Sequence, residues 1–211
     1  MRRIDCIHLA LTTACDRNCP ECCCAIGKRP AVHFSWEYFE DAARFLCGID
    51  RIRVTGGEPT CHPQFSEFIP KFKALFGCRI LQMDTNCFRI RENAAVLHHF
   101  DELMLTQYGA EGINGTGPGD NSAEIQWTRQ NYHGTIWLND LSKIGFVPEI
   151  LRGGGGICYR GKNEIAAYSG GRLYGCCVGP GLPMAASIPL TADWRTQPEI
   201  PVPCRECRFS I

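Results

Sequence analysis

Strand-like and helix-like segments alternate so closely over residues 1 to about 140 that each strand can reach the next only through a helical crossover. Ile4 to Leu11 is an apolar-rich first strand, and it runs into a polar turn. Ser35 has the chemistry of a helix cap; Trp36, Phe39, Ala43 and Leu46 follow near helical spacing, with Gly48 as the stop. Arg51 to Thr55 reads as a second strand that ends in a Gly-Gly turn. Phe65, Phe68, Ile69, Phe72, Leu75 and Phe76 form a helical stripe, in which Pro70 is expected to bend or break the rod. Arg79 to Asp84, Leu103 to Thr106 and Thr135 to Leu138 read as three further strands. Helices are expected over Ile90 to His99 and from Asn121, paired with Glu124 as a cap, to about Gln130. Such units wind right-handed and build a parallel sheet. A complete eight-unit barrel takes ~250 residues. The expected fold is therefore α/β: a partial, open barrel of about five or six units over residues 1–150. A small cysteine-rich β-hairpin extension over 151–211 follows it.

Two glycine-rich stretches interrupt the pattern. Gly109 to Asn121 follows the fourth strand, on the side where active sites of parallel sheets lie, and reads as a connector or as a lid. Arg152 to Gly156 lacks the spacing and lysine of a phosphate-binding loop, and reads as a hinge between the two parts.

Cysteine is the compositional outlier, 15 in 211 residues. Disulfide frameworks belong to small secreted chains, and an odd count leaves one thiol without an intramolecular partner. Met1 to Leu11 has neither the apolar block nor the cleavage site of a signal peptide, and no apolar run approaches the ~20 residues of a membrane span. A cytoplasmic chain with metal-bound thiolates fits better. The net charge is zero and no long basic run occurs, which argues against nucleic-acid or anionic-membrane binding.

Cys15, Cys19 and Cys22 form a C-x3-C-x2-C pattern just after the first strand. Three thiolates on one loop can hold three corners of a cubane iron–sulfur cluster and leave the fourth iron open; structural zinc and loose buried thiols are the competing readings. At the end of the second strand stands Thr55-Gly56-Gly57-Glu58-Pro59-Thr60, where two glycines allow close approach to the backbone and Glu58 can accept from an ammonium group.

Together these motifs resemble the radical S-adenosylmethionine superfamily. The resemblance implies that Cys15, Cys19 and Cys22 ligate a [4Fe–4S] cluster whose open iron binds the amino and carboxylate groups of S-adenosyl-L-methionine. It also implies that Gly56, Gly57 and Glu58 hold the methionine ammonium. Asp84-Thr85-Asn86-Cys87 is similar to the family's third-strand TNG turn, with Cys87 in place of glycine. Leu105-Thr106-Gln107-Tyr108 is similar to its fourth-strand segment, which reaches the cofactor's ribose or carboxylate. Thr85, Asn86, Thr106 and Gln107 are the cofactor-binding candidates that follow. The matches cover residues 5 to 110. Glu21 stands where the family often has an aromatic residue near the adenine. Cys23 and Cys24 extend the cysteine run, and the family spacing selects Cys22.

Beyond the hinge, Cys158, Gly171, Cys176 and the pair Cys204 and Cys207 resemble the family's shortened auxiliary-cluster extension, called twitch, a relative of the larger SPASM extension. The segment from Ile165 to Cys177 reads as a hairpin around Gly170-Gly171. The resemblance implies that Cys158, Cys176, Cys204 and Cys207 ligate a second [4Fe–4S] cluster. A four-cysteine zinc site is the alternative, and Cys177 rivals Cys176. Cys6, Cys47, Cys61, Cys78 and Cys87 have no ligand spacing and read as small buried hydrophobes, with Cys61 and Cys87 near the strand ends.

The activity implied is reductive cleavage of S-adenosylmethionine and hydrogen abstraction from a substrate, with a flavodoxin- or ferredoxin-type electron donor. The auxiliary cluster would accept an electron, bind substrate or donate sulfur. Peptide-modifying members often carry an N-terminal leader-binding domain, whereas the first strand here starts within five residues of Met1. With no basic groove either, a small molecule (a sugar, nucleoside or biosynthetic intermediate) is the expected substrate. A peptide or protein is the alternative, and a non-catalytic electron-transfer protein is the rival class. Tyr108, Trp137, Tyr159 and Arg160 are pocket candidates, or equally core and surface side chains.

Overall fold

The computed structural model describes residues 4–17, 19, 30–109, 119–140, 165–175 and 187–194. Within them five parallel strands appear where the alternation placed them: β1 (Cys6–Thr12), β2 (Arg51–Gly56), β3 (Ile80–Thr85), β4 (Glu102–Gln107) and β5 (Thr135–Asp140). Three more, β6 (Ile165–Ser169), β7 (Arg172–Tyr174) and β8 (Ser187–Pro189), extend the same sheet on the far side of β1. The order is β5-β4-β3-β2-β1-β6-β7-β8. β6 lies parallel to β1, while β7 and β8 are antiparallel. Gly170 and Gly171, at φ 60° and 77°, form the tight turn between β6 and β7. The result is an open, mostly parallel α/β sheet. The expected boundary at residue 150 and the Arg152–Gly156 hinge lie outside the described residues.

The strands alternate rather than reading as continuous apolar runs. Ile7, Leu9, Ile52, Val54, Leu81, Met83, Leu103 and Leu105 are in register and fully buried. They pack with Phe39, Phe65, Phe68, Phe72 and Phe76 from helices α1 (Trp36–Leu46) and α2 (Phe65–Phe76). The opposite face is polar. On it Arg53 binds Asp84, and Arg51 binds both Gln82 (2.8 Å) and Glu102 (2.5 Å) across neighbouring strands. One face thus supplies the core, and the other carries charged side chains paired across neighbouring strands. Along β5, Trp137 is half exposed and bonds Glu102 through its indole N–H, so it is a surface residue here.

Ser35 caps α1 as expected, its hydroxyl accepting from the Tyr38 N–H at 3.4 Å. Two local expectations are corrected, and the expected helix near residue 90 is found in a tighter form. Pro70 does not break α2: it sits on the exposed side, and the buried aromatic stripe on the other side holds the helix continuous. Arg91–His99 is a 3₁₀ helix rather than an α-helix, tightened where Asn93 donates its N–H to Ile90 and its side-chain amide to Arg89. Asn121 opens α3 (Ser122–Asn131) without capping it; Asp120 accepts the Ser122 N–H at 2.8 Å instead, and the Asn121 amide is used elsewhere. Among the described residues no helix is long and apolar enough to cross a membrane.

Pro70 removes one backbone hydrogen bond on a solvent-facing turn without adding packing. Pro70→Ala is therefore expected to stabilise the chain by about 1–3 kcal/mol in urea unfolding. An unchanged or lower midpoint would show that the proline is accommodated without strain.

Candidate active site

The cysteine-bearing segment leaves the end of β1 and returns to it. Thr13 N–H donates to the Val32 carbonyl (2.9 Å), Val32 N–H to the Thr13 hydroxyl (2.8 Å), and Phe34 N–H to the Leu11 carbonyl (3.3 Å). The fully buried Thr12 hydroxyl donates to the Val32 carbonyl, accepts from Ala14 N–H, and lies 2.9 Å from His33 Nδ1. These bonds close the neck of the loop.

The Gly56-Gly57-Glu58 turn is bolted to that neck. Gly57 N–H donates to the Thr12 carbonyl and Glu58 N–H to the Ala14 carbonyl, each at 2.8 Å. A Cβ on Gly56 would strike the Thr12 carbonyl and one on Gly57 the Ala14 carbonyl; Gly56 also holds φ 131°. What approaches these glycines closely in the structure is the chain's own backbone, which explains why no side chain is tolerated there.

Glu58 is 1% exposed, and both its oxygens are engaged. Oε1 accepts from the Thr60 hydroxyl (2.7 Å), the Thr85 hydroxyl (2.8 Å) and the Thr60 N–H (3.3 Å); Oε2 accepts from Asn86 N–H at 2.8 Å. The carboxylate thus ties the end of β2 to the end of β3. Burial is the largest influence on its pKa and lifts it to about 7, against the lowering effect of these hydrogen bonds.

Asn86 carries the connection to the cysteines. Its amide donates to the Asp16 carboxylate at 2.6 Å and lies 4.0 Å from Cys15 Sγ. Its carbonyl accepts from the buried Asn121 amide, which also donates to the Thr106 carbonyl (both 2.8 Å) and accepts the Tyr108 N–H at 2.9 Å. Asn121 is therefore a clip between the ends of β3 and β4. Cys87, where the resembled turn has glycine, keeps the backbone glycine favours: φ is 69° and the side chain is fully buried. Gln107 bonds Ser122 at 3.3 Å, and the Thr106 side chain is half-buried.

Cys15 and Cys19 are partly exposed thiols that form no disulfide. Burial pushes the Cys15 thiol well above its usual range; the Arg17 N–H on its sulfur (3.4 Å) pulls it back, and the Glu58 and Asp16 carboxylates raise it further. Cys22, Glu21, Cys23 and Cys24 lie outside the described residues, as do Cys158, Tyr159, Arg160, Cys176, Cys177, Cys204 and Cys207. Among the described residues no three His, Cys, Asp or Glu side chains are gathered as a metal site. Two soft thiol donors on one anchored loop nevertheless suit an iron–sulfur group better than a hard cation. Of the remaining thiols Cys6, Cys78 and Cys87 are buried, whereas Cys47 is exposed and Cys61 half-buried, departing from the buried expectation.

The structure places Gly57, Glu58, Thr85, Asn86 and Cys15 against one another, and the sequence motifs gave no place to Thr12, Arg17 and Asn121. Arg17 is buried against Phe88 and Tyr108, at 4.4 and 3.9 Å from the ring centroids. The signal for it was the charge lodged between two of the motif cysteines.

No family profile matches the chain. It is 34% identical over 101 residues to the GTP 3',8-cyclase of Geobacter sulfurreducens, which is 46% of this chain and 31% of that protein. It is 32% identical over 103 residues to the GTP 3',8-cyclase of Rhodopirellula baltica, 46% of this chain and 28% of that one. The chain spans about a third of the length of the curated relatives it matches. Among solved structures it superimposes on BtrN in complex with AdoMet and 2-DOIA, with a TM-score of 0.62 and 13% identity over 87% of this chain and 77% of that one. The chain shares the BtrN fold. Streptococcus suis SuiB bound to its precursor peptide SuiA matches at a TM-score of 0.53 with 14% identity, over 64% of this chain and 33% of SuiB.

Gly57→Ala is expected to force the β1 and β2 ends apart and to cost roughly 1–3 kcal/mol, read as a lowered midpoint in chemical unfolding. An unchanged midpoint would mean the two strand ends are not held as tightly as the geometry shows.

Glu58 has its folded pKa raised from 4.5 to about 7. A raised folded value contributes stability that is fully present below pH 4.5 and lost as pH rises through 7, by roughly 3 kcal/mol in all. In the metal-free chain Glu58→Gln should flatten this decline between pH 5 and 7.5, because glutamine keeps the Asn86 bond and can donate to both threonine hydroxyls. Parallel pH profiles for the two proteins would contradict the assignment.

Proposed function

We propose that the chain is a radical S-adenosylmethionine enzyme. The observation that carries this reading is the coupling of Cys15, through Asn86, to the buried Glu58 of the Gly-Gly-Glu turn, at the ends of three adjacent strands. Partial identity to two GTP 3',8-cyclases and a fold shared with a protein solved with AdoMet support it.

On this reading Cys15, Cys19 and Cys22 would hold a [4Fe–4S] cluster, which with S-adenosylmethionine and one electron from an external donor would supply hydrogen-atom abstraction from the substrate. The residues of the chain do the positioning. The closed neck at Thr12, Thr13 and Val32 fixes the loop against β1, and Gly56 and Gly57 fix it against β2. Gly56, Gly57 and Glu58 form the wall on which the methionine ammonium rests; Thr85 and Asn86 hold Glu58 in place. Thr106 and Gln107 stand at the β4 end beside the ribose or carboxylate. The polar sheet face, with Arg51, Arg53, Asp84 and Glu102, leads towards this end. Cys158, Cys176, Cys204 and Cys207 hold an auxiliary cluster, and a flavodoxin- or ferredoxin-type donor delivers the electron. The substrate is a small molecule rather than a peptide. Supporting this, the chain fits BtrN, solved with 2-DOIA, over more of both chains than it fits peptide-bound SuiB.

Anaerobic reconstitution with iron and sulfide, followed by dithionite and S-adenosylmethionine, should yield 5′-deoxyadenosine, and Cys15→Ala should abolish it. A cluster-loaded chain that releases none would refute the enzyme reading. In the same preparation, Cys158→Ala with Cys204→Ala should lower the iron content; an undiminished iron load would refute the second cluster alone.

A further inference from the structure

A guanidinium buried without a hydrogen-bond partner is a costly arrangement, because its charge persists and its five N–H donors lose water. Arg17 is in that state. It is 4% exposed, and among the described residues Nε, Nη1 and Nη2 all lack a hydrogen-bond partner. Its neighbour Asp16 does not bond it; one Asp16 carboxylate oxygen accepts from Asn86 instead. Phe88, just past β3, and Tyr108, just past β4, hold the guanidinium from two sides; their rings lie 6.4 Å apart at 27°. Aromatic contact fixes the position of the group and repays part of its desolvation, but satisfies none of its N–H donors. The position is also specific: between Cys15 and Cys19, beside the Asn86 link, where the ends of β3 and β4 meet the loop. A fixed, dry, unsatisfied guanidinium fork matches one ligand chemistry, a planar or tetrahedral oxyanion taken by two parallel N–H···O bonds.

We propose that Arg17 is the receptor for a carboxylate or phosphate on a molecule that reacts at this site. The inference rests on the reading of the site as cleaving S-adenosylmethionine, and it adds the charge of what enters. The oxyanion comes either from the carboxylate of S-adenosylmethionine or from the substrate. Arg17 is then a binding residue, and Phe88 and Tyr108 are the residues that pre-position it.

The first measurement uses the full chain without metal, so it does not depend on catalysis. Succinate and inorganic phosphate should raise its melting temperature beyond sodium chloride at equal ionic strength, and Arg17→Gln should remove the increment. Arg17→Met, which keeps the aliphatic stem and drops the unsatisfied charge, should melt no lower than the parent. Anion stabilisation that persists in Arg17→Gln, or a lower melting point for Arg17→Met, would make the residue a packing element and overturn the proposal. The second measurement uses the cluster-loaded chain and equilibrium dialysis. A loss of about tenfold or more in S-adenosylmethionine affinity in Arg17→Gln supports the proposal and assigns the oxyanion to the cofactor. Unchanged cofactor affinity, with succinate or phosphate binding lost only in the variant, supports it and assigns the oxyanion to the substrate. If cluster loading abolishes anion binding and Arg17→Gln alters neither affinity, the guanidinium serves the cluster and the proposal falls. Failure to form 5′-deoxyadenosine alongside Arg17-dependent anion binding would overturn the enzymatic reading and leave the receptor standing.

Discussion

A single buried carboxylate holds the strand ends of this protein in register. Glu58 receives the Thr60 and Thr85 hydroxyls and the Asn86 N–H, so β2 and β3 meet through it rather than through the ladder that joins them lower down. Asn86 passes the constraint to the cysteine loop through Asp16, and Asn121 passes it to β4. Burying a carboxylate is unfavourable unless hydrogen bonds surround it, and here every donor comes from a segment adjoining the site. The stability of that arrangement and the geometry of the site are one quantity.

The sheet divides this labour cleanly. Its apolar face, from Ile7 to Leu105, is covered by α1 and α2 and provides the hydrophobic stabilisation. Its polar face carries paired charges whose partners sit on neighbouring strands, Arg53 with Asp84 and Arg51 with Glu102. Such pairs contribute little to folding at partly exposed positions, and they leave that face polar where an apolar one would have collapsed or aggregated.

Much of this was legible in the residues. The five parallel strands were visible because each is a short segment of alternating apolar residues between polar turns, and α1 because Ser35 precedes a periodic stripe. The misses have physical causes. Pro70 argued for a break by local rules, but a helix held by buried Phe68, Ile69 and Phe72 tolerates one lost bond on its outer side. Asn121 looked like a cap because Asn and Glu three residues apart in Asn121–Glu124 suit that role locally; its amide went instead to two strand ends distant in sequence. The glycines of the Gly-Gly-Glu turn were recognised as sites of close approach, but one-dimensional spacing does not say what approaches. Arg17 escaped notice because a charge between two motif cysteines reads locally as a solvated side chain; its burial depends on Phe88 and Tyr108 far along the chain.

The loop that carries Cys15 and Cys19 departs from and returns to one point, where Thr12 and Thr13 meet Val32 and His33. The span between can therefore lengthen or shorten without shifting a strand, since closing a longer loop adds only a slowly growing entropy. Changes in length between the functional side chains of the loop can thus be absorbed at its closed base. A scaffold of this kind separates reshaping a reaction environment from preserving the sheet.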